Sequence, residues 1–197
     1  GVDTEELVMM GLDMMKSNFP PMFRKFGEQI LQDIMFGKPK KQIDAAILDF
    51  RDKIDEVDWK LVTKPTGLKK MNEYIHSSPP PGQIFSKIGL KCPINTKAAI
   101  IYNDLLRFKK LDKQYPVLQI GDKMFIAYLK KNPYNIEVIG FNGYNDAPEI
   151  LDFIGKYIDK DKLFESMMKN KLSGLYQDIG WGFPVMNKNV NKFFNFV

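Results

Sequence analysis

The 197-residue chain holds 29 Lys and Arg against 24 Asp and Glu, a formal net charge of +5, with 44% hydrophobic residues, enough to bury one proper core with room for a small satellite unit. Cys92 is the only cysteine, which excludes an internal disulfide and points to a reducing, cytoplasmic compartment. No apolar run reaches the roughly 18 residues that span a bilayer and no signal-peptide pattern opens the chain, so a soluble protein is expected.

The chain starts Gly1-Val2-Asp3 without an initiator Met and reads as a processed or excised piece. Residues 7–15, Leu-Val-Met-Met-Gly-Leu-Asp-Met-Met, read as the last strand of a sheet whose partners are missing. Ser17 or Asn18 is placed to cap a helix beginning at Pro20-Pro21. Along it Met22, Phe23, Phe26, Ile30, Ile34 and Met35 share one face, and Gly37 closes it. Pro39 opens a second helix, with Ile43, Ala46, Ile47, Phe50, Ile54 and Val57 at steps of three and four; the short join predicts an antiparallel pair.

Residues 60–97 change character, with Pro65, Gly67, Pro79-Pro80-Pro81, Gly82 and Gly89 among many lysines. Apolar anchors at Tyr74, Ile75, Ile84, Phe85 and Ile88 predict an ordered, extended loop, of a length that is usually functional or disordered. Asn95 or Thr96 then caps a helix to about Leu111, with Ala98, Ile101, Tyr102, Leu105 and Leu106 inward. Val117–Ile120, the turn Gly121-Asp122 and Lys123–Leu129 read as a hairpin that Glu137–Phe141 joins. Helices near 146–156 and 159–179 follow, the second capped by Asp159 or Asp161. The expected class is α+β, mainly α: a helical bundle with a small antiparallel β-hairpin or sheet.

No catalytic constellation emerges. His76 and Cys92 are each single of their kind, so a Cys/His zinc site is excluded on count. Asp159-Lys160-Asp161 is the nearest thing to a metal-binding acidic pair, and a helix cap is the better explanation of it. Hydrolase and phosphate-cradle motifs are absent. The positive signals are two. Lysines interleaved with Gly, Ser and Thr over 60–97 suit phosphate gripping, the plain alternative being a solvated surface loop. Only Arg24, Arg51 and Arg107 are arginines, so the charge is nearly all lysine, which favours point contacts to phosphates over bidentate reading of guanine edges. The second signal is the tail with Phe193, Phe194 and Phe196, whose rings either fold back on the chain's own core or fill a pocket on a partner.

In chain order these segments resemble the C-terminal part of the T-even-type phage replicative DNA polymerases of family B. Met10-Gly11-Leu12-Asp13-Met14-Met15-Lys16-Ser17-Asn18-Phe19-Pro20 resembles the family's palm-to-thumb junction, with Asn18 and Phe19 standing where Ser and Thr are usual. Lys91-Cys92-Pro93-Ile94-Asn95-Thr96-Lys97 with Ile101-Tyr102-Asn103 is similar to a thumb stretch in which Lys97 replaces Arg. Gly121-Asp122-Lys123 into Phe125-Ile126-Ala127-Tyr128-Leu129 resembles the later hairpin, and Tyr157-Ile158-Asp159-Lys160-Asp161 the start of a late helix. Leu129-Lys130-Lys131-Asn132-Pro133 and Ile179-Gly180-Trp181 fit the same order.

The resemblance implies three parts: 1–20, the end of the palm and its junction; 21–186, a thumb; and 187–197, a C-terminal clamp-binding tail. It implies a duplex-gripping portion of a DNA-directed DNA polymerase, a nucleotidyltransferase whose catalytic carboxylates and Mg²⁺ belong to a palm upstream, so that this chain alone carries no catalytic residue and no cofactor. DNA contacts fall to Lys64, Thr66, Gly67, Lys69, Lys70, Lys87, Lys91, Asn95 and Lys97, with Lys16 and Ser17 near the primer strand. Val190, Phe193, Phe194 and Phe196 would anchor a ring-shaped sliding clamp. The implied partners are primer-template duplex, that clamp and the palm-bearing remainder of the polymerase, in host-cell cytoplasm, with no membrane. Two rivals stand beside this reading: a naturally separate C-terminal subunit of a split polymerase, and a non-catalytic basic protein-interaction module that uses the Phe-rich tail.

Overall fold

Helix α1 occupies Thr4–Lys16, where a strand was expected. Val8 is the only β-branched residue between Glu5 and Lys16; Met, Leu and Glu are strong helix formers, and Glu5 and Glu6 in the first turn oppose the positive end of the helix dipole. Leu7 and Met14, seven apart, share the buried face. That face closes on α2 (Pro21–Met35) because Gly27 lacks a side chain: a Cβ there would lie 2.6 Å from Met14 Sδ. The computed structural model describes residues 4–16, without the Lys16 side chain, and 18–186.

The chain divides into two units, residues 1–61 with 161–197, and residues 62–160. In the first, α2 takes Pro20 as its N-cap with no side-chain cap. The Pro20 carbonyl accepts the Phe23 and Arg24 amides at 2.9 and 3.1 Å, replacing the cap assigned to Ser17 or Asn18; Ser17 lies outside the described residues. Gly37, at φ +77, ends the helix, and Pro39 starts α3 (Lys40–Lys53). Phe23 and Phe26, early in α2, meet Phe50, late in α3, at ring separations of 5.5 and 4.0 Å, the antiparallel order predicted. Met35, assigned to the inner face, is half-exposed.

The late helix runs unbroken as α6 (Lys160–Leu163), a π-helical stretch (Phe164–Lys169) and α7 (Asn170–Asp178). Phe164 joins the Phe23 and Phe50 cluster. Arg51 is buried over the Phe164 ring at 4.9 Å, with Asp161 and Glu165 at 3.6 and 3.5 Å.

In the second unit a three-stranded antiparallel sheet has the order β1-β4-β5, from Lys64–Gly67, Lys123–Tyr128 and Val138–Phe141. A smaller two-stranded sheet pairs β2 (Ile75–Ser77) with β3 (Lys87–Ile88). Helix α4 (Ile94–Phe108) packs on β5 at Gly140, where a Cβ would meet Met124 Cε at 2.4 Å and the Ala98 backbone at 3.3 Å. All five α4 residues assigned inward are buried.

Two expectations change here. The 60–97 segment is not an extended loop, since β1, β2, β3 and two short 3-10 turns occupy much of it. Val117–Ile120 is not a strand. Asn103 of α4 takes both hydrogen-bonding groups of Leu118, donating Nδ2 to its carbonyl at 2.9 Å and accepting its amide at 2.7 Å. That residue is thereby bound to a helix side chain, and β1 takes the place beside β4. Helix α5 (Pro148–Tyr157) follows a turn in which buried Asp146 accepts the Asn142 and Gly143 amides. Among the described residues the architecture is mixed α+β and mainly helical, 51% helix against 12% strand, so the predicted class holds. Among the described residues no helix is long and apolar enough to cross a membrane.

Candidate nucleic-acid interface

The lysine-bearing end of β1 is stitched onto the start of α4. Asn95 Nδ2 donates to the Gly67 carbonyl at 3.3 Å, and Thr96 Oγ1 to the Lys70 carbonyl at 2.9 Å. Between these ties Leu68 is buried, and its amide and carbonyl bond Asp122 and Gly121 at 3.0 and 2.8 Å. A short apolar plug flanked by backbone bonds thus fixes where Lys69 and Lys70 leave the surface; both are exposed. The neighbouring first turns of α4 carry Lys97, with exposed Lys91 just before Pro93. Pro93 is the N-cap and makes no side-chain cap, but Asn95 Oδ1 accepts the Thr96 amide in the first turn at 3.0 Å, so Asn95 serves a free helix amide as expected while its Nδ2 braces Gly67. Thr96 Oγ1 bonds the Lys70 carbonyl instead of a helix amide.

Among the described residues, Lys38, Lys40, Lys53, Lys109 and Lys171 pair with carboxylates, whereas Lys64, Lys69, Lys87, Lys91 and Lys97 enter no ion pair, a state that Lys25, Lys41, Lys110, Lys113, Lys130, Lys131 and Lys156 share elsewhere. Lys70 approaches Glu73 at 3.8 Å with both side chains more than half exposed, a contact worth about 0–1 kcal/mol in water. The positive end of the α4 dipole adds to the same field. Burial pushes the Cys92 thiol up from its ordinary value, and the Lys97 charge pulls it partly back.

Of the assigned residues, Gly67, Lys70 and Asn95 are joined by hydrogen bonds, and Thr66, Lys69, Lys91 and Lys97 flank them along the chain. Lys87 belongs to a second attachment. It faces Ser77 across β2–β3, and its neighbour Ser86 donates its amide and hydroxyl to Asp104 at 2.8 and 3.0 Å. Asp104 lies eight residues past Thr96, about 12 Å along α4. Lys64 is half-buried opposite Ile126. The Lys16 side chain, Ser17 and the tail residues Val190, Phe193, Phe194 and Phe196 lie outside the described residues.

Lys123 was missed by sequence reasoning. It is exposed and stands directly across from Gly67 in the β1–β4 register, and it too enters no ion pair among the described residues. Its place depends on a pairing across 56 positions that no local pattern announces. The described residues hold no group of three or more His, Cys, Asp or Glu able to bind a metal ion. No protein-family model matches the chain, and no curated protein matches it.

Proposed function

We propose that this chain is the duplex-gripping thumb portion of a replicative DNA-directed DNA polymerase, holding primer-template through its sugar-phosphate backbone. One observation carries the reading: Lys69, Lys91, Lys97 and Lys123, without ion-pair partners among the described residues, are brought to the β1–α4 junction by the Gly67–Lys123 register and by the Gly67–Asn95 and Lys70–Thr96 bonds. Ammonium groups left unneutralised by protein carboxylates are free to replace counterions on phosphates, and that exchange supplies most of nonspecific duplex affinity. The cluster holds no arginine, in keeping with contacts that position a helix without reading bases. The collinear likeness to the T-even-type polymerases supplies the polymerase part of the proposal. Chemistry and Mg²⁺ are assigned to carboxylates outside these residues, and clamp binding to the tail.

The test is fluorescence anisotropy of a labelled primer-template duplex with the full chain across a salt series. If about six phosphates are contacted, log affinity falls against log salt with a slope near −5. A slope near zero, or equal binding to a neutral polymer, sinks the proposal. A separate subunit of a split polymerase is distinguished by mixing the chain with a palm-bearing fragment and looking for restored primer extension.

A further inference from the structure

Helix α1 is fixed from two sides. Leu7 and Met14 are 3% and 0% exposed, with Met14 seated over Gly27 of α2, and Lys171 of α7 donates to the Asp13 carboxylate. Much of what remains turned outward is nonetheless apolar: Val8, Met9, Leu12 and Met15 are 50%, 66%, 43% and 61% exposed. At 100° per residue these four lie within an arc of about 120°, with Glu5 among them near its Met9 end. A helix apolar on both faces is characteristic of one covered on both faces, and here one cover is present.

Charge indicates what the other cover is. Overlapping the apolar arc lies a groove lined by Met9 and Met10 together with Glu5, Glu6, Asp13 and Asp178, with Lys171 as its single basic member among the described residues. Beside the Asp13–Lys171 pair, Glu6 and Asp178 leave an acidic spot on a chain whose net charge is +5. Nucleic acid and acidic lipid are repelled from it. A polypeptide presenting apolar side chains flanked by Lys or Arg meets both features at once. Exposed methionines adapt to varied side chains, as in other surfaces that receive amphipathic helices. The 13 residues of α1 are about 20 Å long, the span of roughly four turns of a partner helix.

We infer that the outward face of α1 is a docking surface for a cationic amphipathic helix of a partner polypeptide. The inference does not depend on the DNA reading, because the α1 face and the lysine cluster have opposite charge.

The probe is a fluorescein-labelled helical peptide of about 18 residues, long enough to match α1, with Leu on one face and Lys on its flanks. It is titrated against the full 197-residue chain, beside a scrambled peptide and one with Glu in place of Lys. Saturable binding is expected to weaken about tenfold for both controls and for Leu12→Asp, and to fall with salt. Should Leu12→Asp lose helical circular dichroism, Glu6→Lys with Asp178→Lys replaces it, with the same expected loss. Equal binding of the scrambled peptide, or none, overturns the inference. So does a wild-type dimer in sedimentation that Leu12→Asp dissociates, which makes a second copy the occupant. Tighter binding after removal of residues 187–197 also overturns it, by identifying the chain's own end as the cover.

Discussion

The Tyr176 hydroxyl donates to Asp44 Oδ1 at 2.6 Å, joining α7 to α3 across 132 positions of sequence. Asp44 also accepts from Lys40 at 2.6 Å, and Lys40 lies 5.5 Å above the Tyr176 ring. The result is a closed triangle of phenol, carboxylate and ammonium, against which Trp181 and Phe183 pack edge-on.

Burial first, then the hydrogen bond and charge of Asp44, holds the Tyr176 phenol far above its ordinary value of 10. Burial and Asp146 do the same to Tyr102. Both folded values are raised, so below pH 10 the phenols are protonated in either state and full stability is present. Above that the unfolded chain releases protons that the folded chain retains, and stability is lost as pH rises. Urea midpoints should be level from pH 7 to about 9.5 and then decline. Tyr176→Phe should cost about 1.5 kcal/mol at neutral pH through the lost bond to a charged acceptor, and should make the alkaline decline shallower. An unchanged alkaline limb would contradict the assignment.

Asn103→Ala removes both partners of Leu118 at once and leaves a buried amide and carbonyl unsatisfied. We expect a loss of about 3 kcal/mol. Amide exchange at Leu118 should accelerate more than at Ile126, whose pairing lies within the sheet. Equal acceleration at both would show that Asn103 supports the whole unit and not this one attachment.

Gly140→Ala places a methyl group 2.4 Å from Met124 Cε and 3.3 Å from the Ala98 backbone. The methionine end can swing aside, whereas the helix backbone must retreat by a few tenths of an ångström. Thermal denaturation should register about 1–3 kcal/mol of destabilisation. Met124→Leu, which retracts the clashing atom, should recover part of it in the double variant; strict additivity would mean that the Ala98 contact alone sets the cost.

At the candidate interface, Lys69→Glu, Lys97→Glu and Lys123→Glu should each flatten the salt dependence of duplex binding by about one contact, a slope change near 0.9. Melting temperature should barely move, since none of these lysines enters an ion pair among the described residues and Glu in the first turns of α4 complements the helix dipole. Lys123→Glu is the sharpest of the three, because that residue enters only through the β1–β4 register. A normal slope for Lys123→Glu with altered slopes for the other two would confine the contact to the α4 side.

The helices were legible because their signals are local. Phe23, Ile30 and Ile34, and then Ile43, Ile47 and Phe50, repeat at helical spacing between prolines and glycines that punctuate the chain. The run from Leu7 to Met15 misled because near-continuous apolarity fits a buried strand and a two-faced helix equally; composition, rich in Met and poor in β-branched residues, held the deciding information. The hairpin expected at 117–129 failed for a nonlocal reason. Leu118 is claimed by a side chain 15 residues earlier, and the strand beside β4 comes from nearly 60 residues upstream. The site was legible as lysine density. Its geometry was not, because Asn95 and Thr96 look like cap residues, and nothing local says that they also brace Gly67 and Lys70.

β1 pairs on one side only, at the margin of its sheet, which leaves backbone donors and acceptors open to any passing extended chain. Lys64, Pro65 and Lys69 in and beside it are what discourages such a guest. The lysines therefore guard against self-association while they offer charge, and trimming them to alanine would confuse lost DNA contact with clumping protein. Reversing their sign keeps a charged guard on the edge and turns the attraction for phosphate into repulsion.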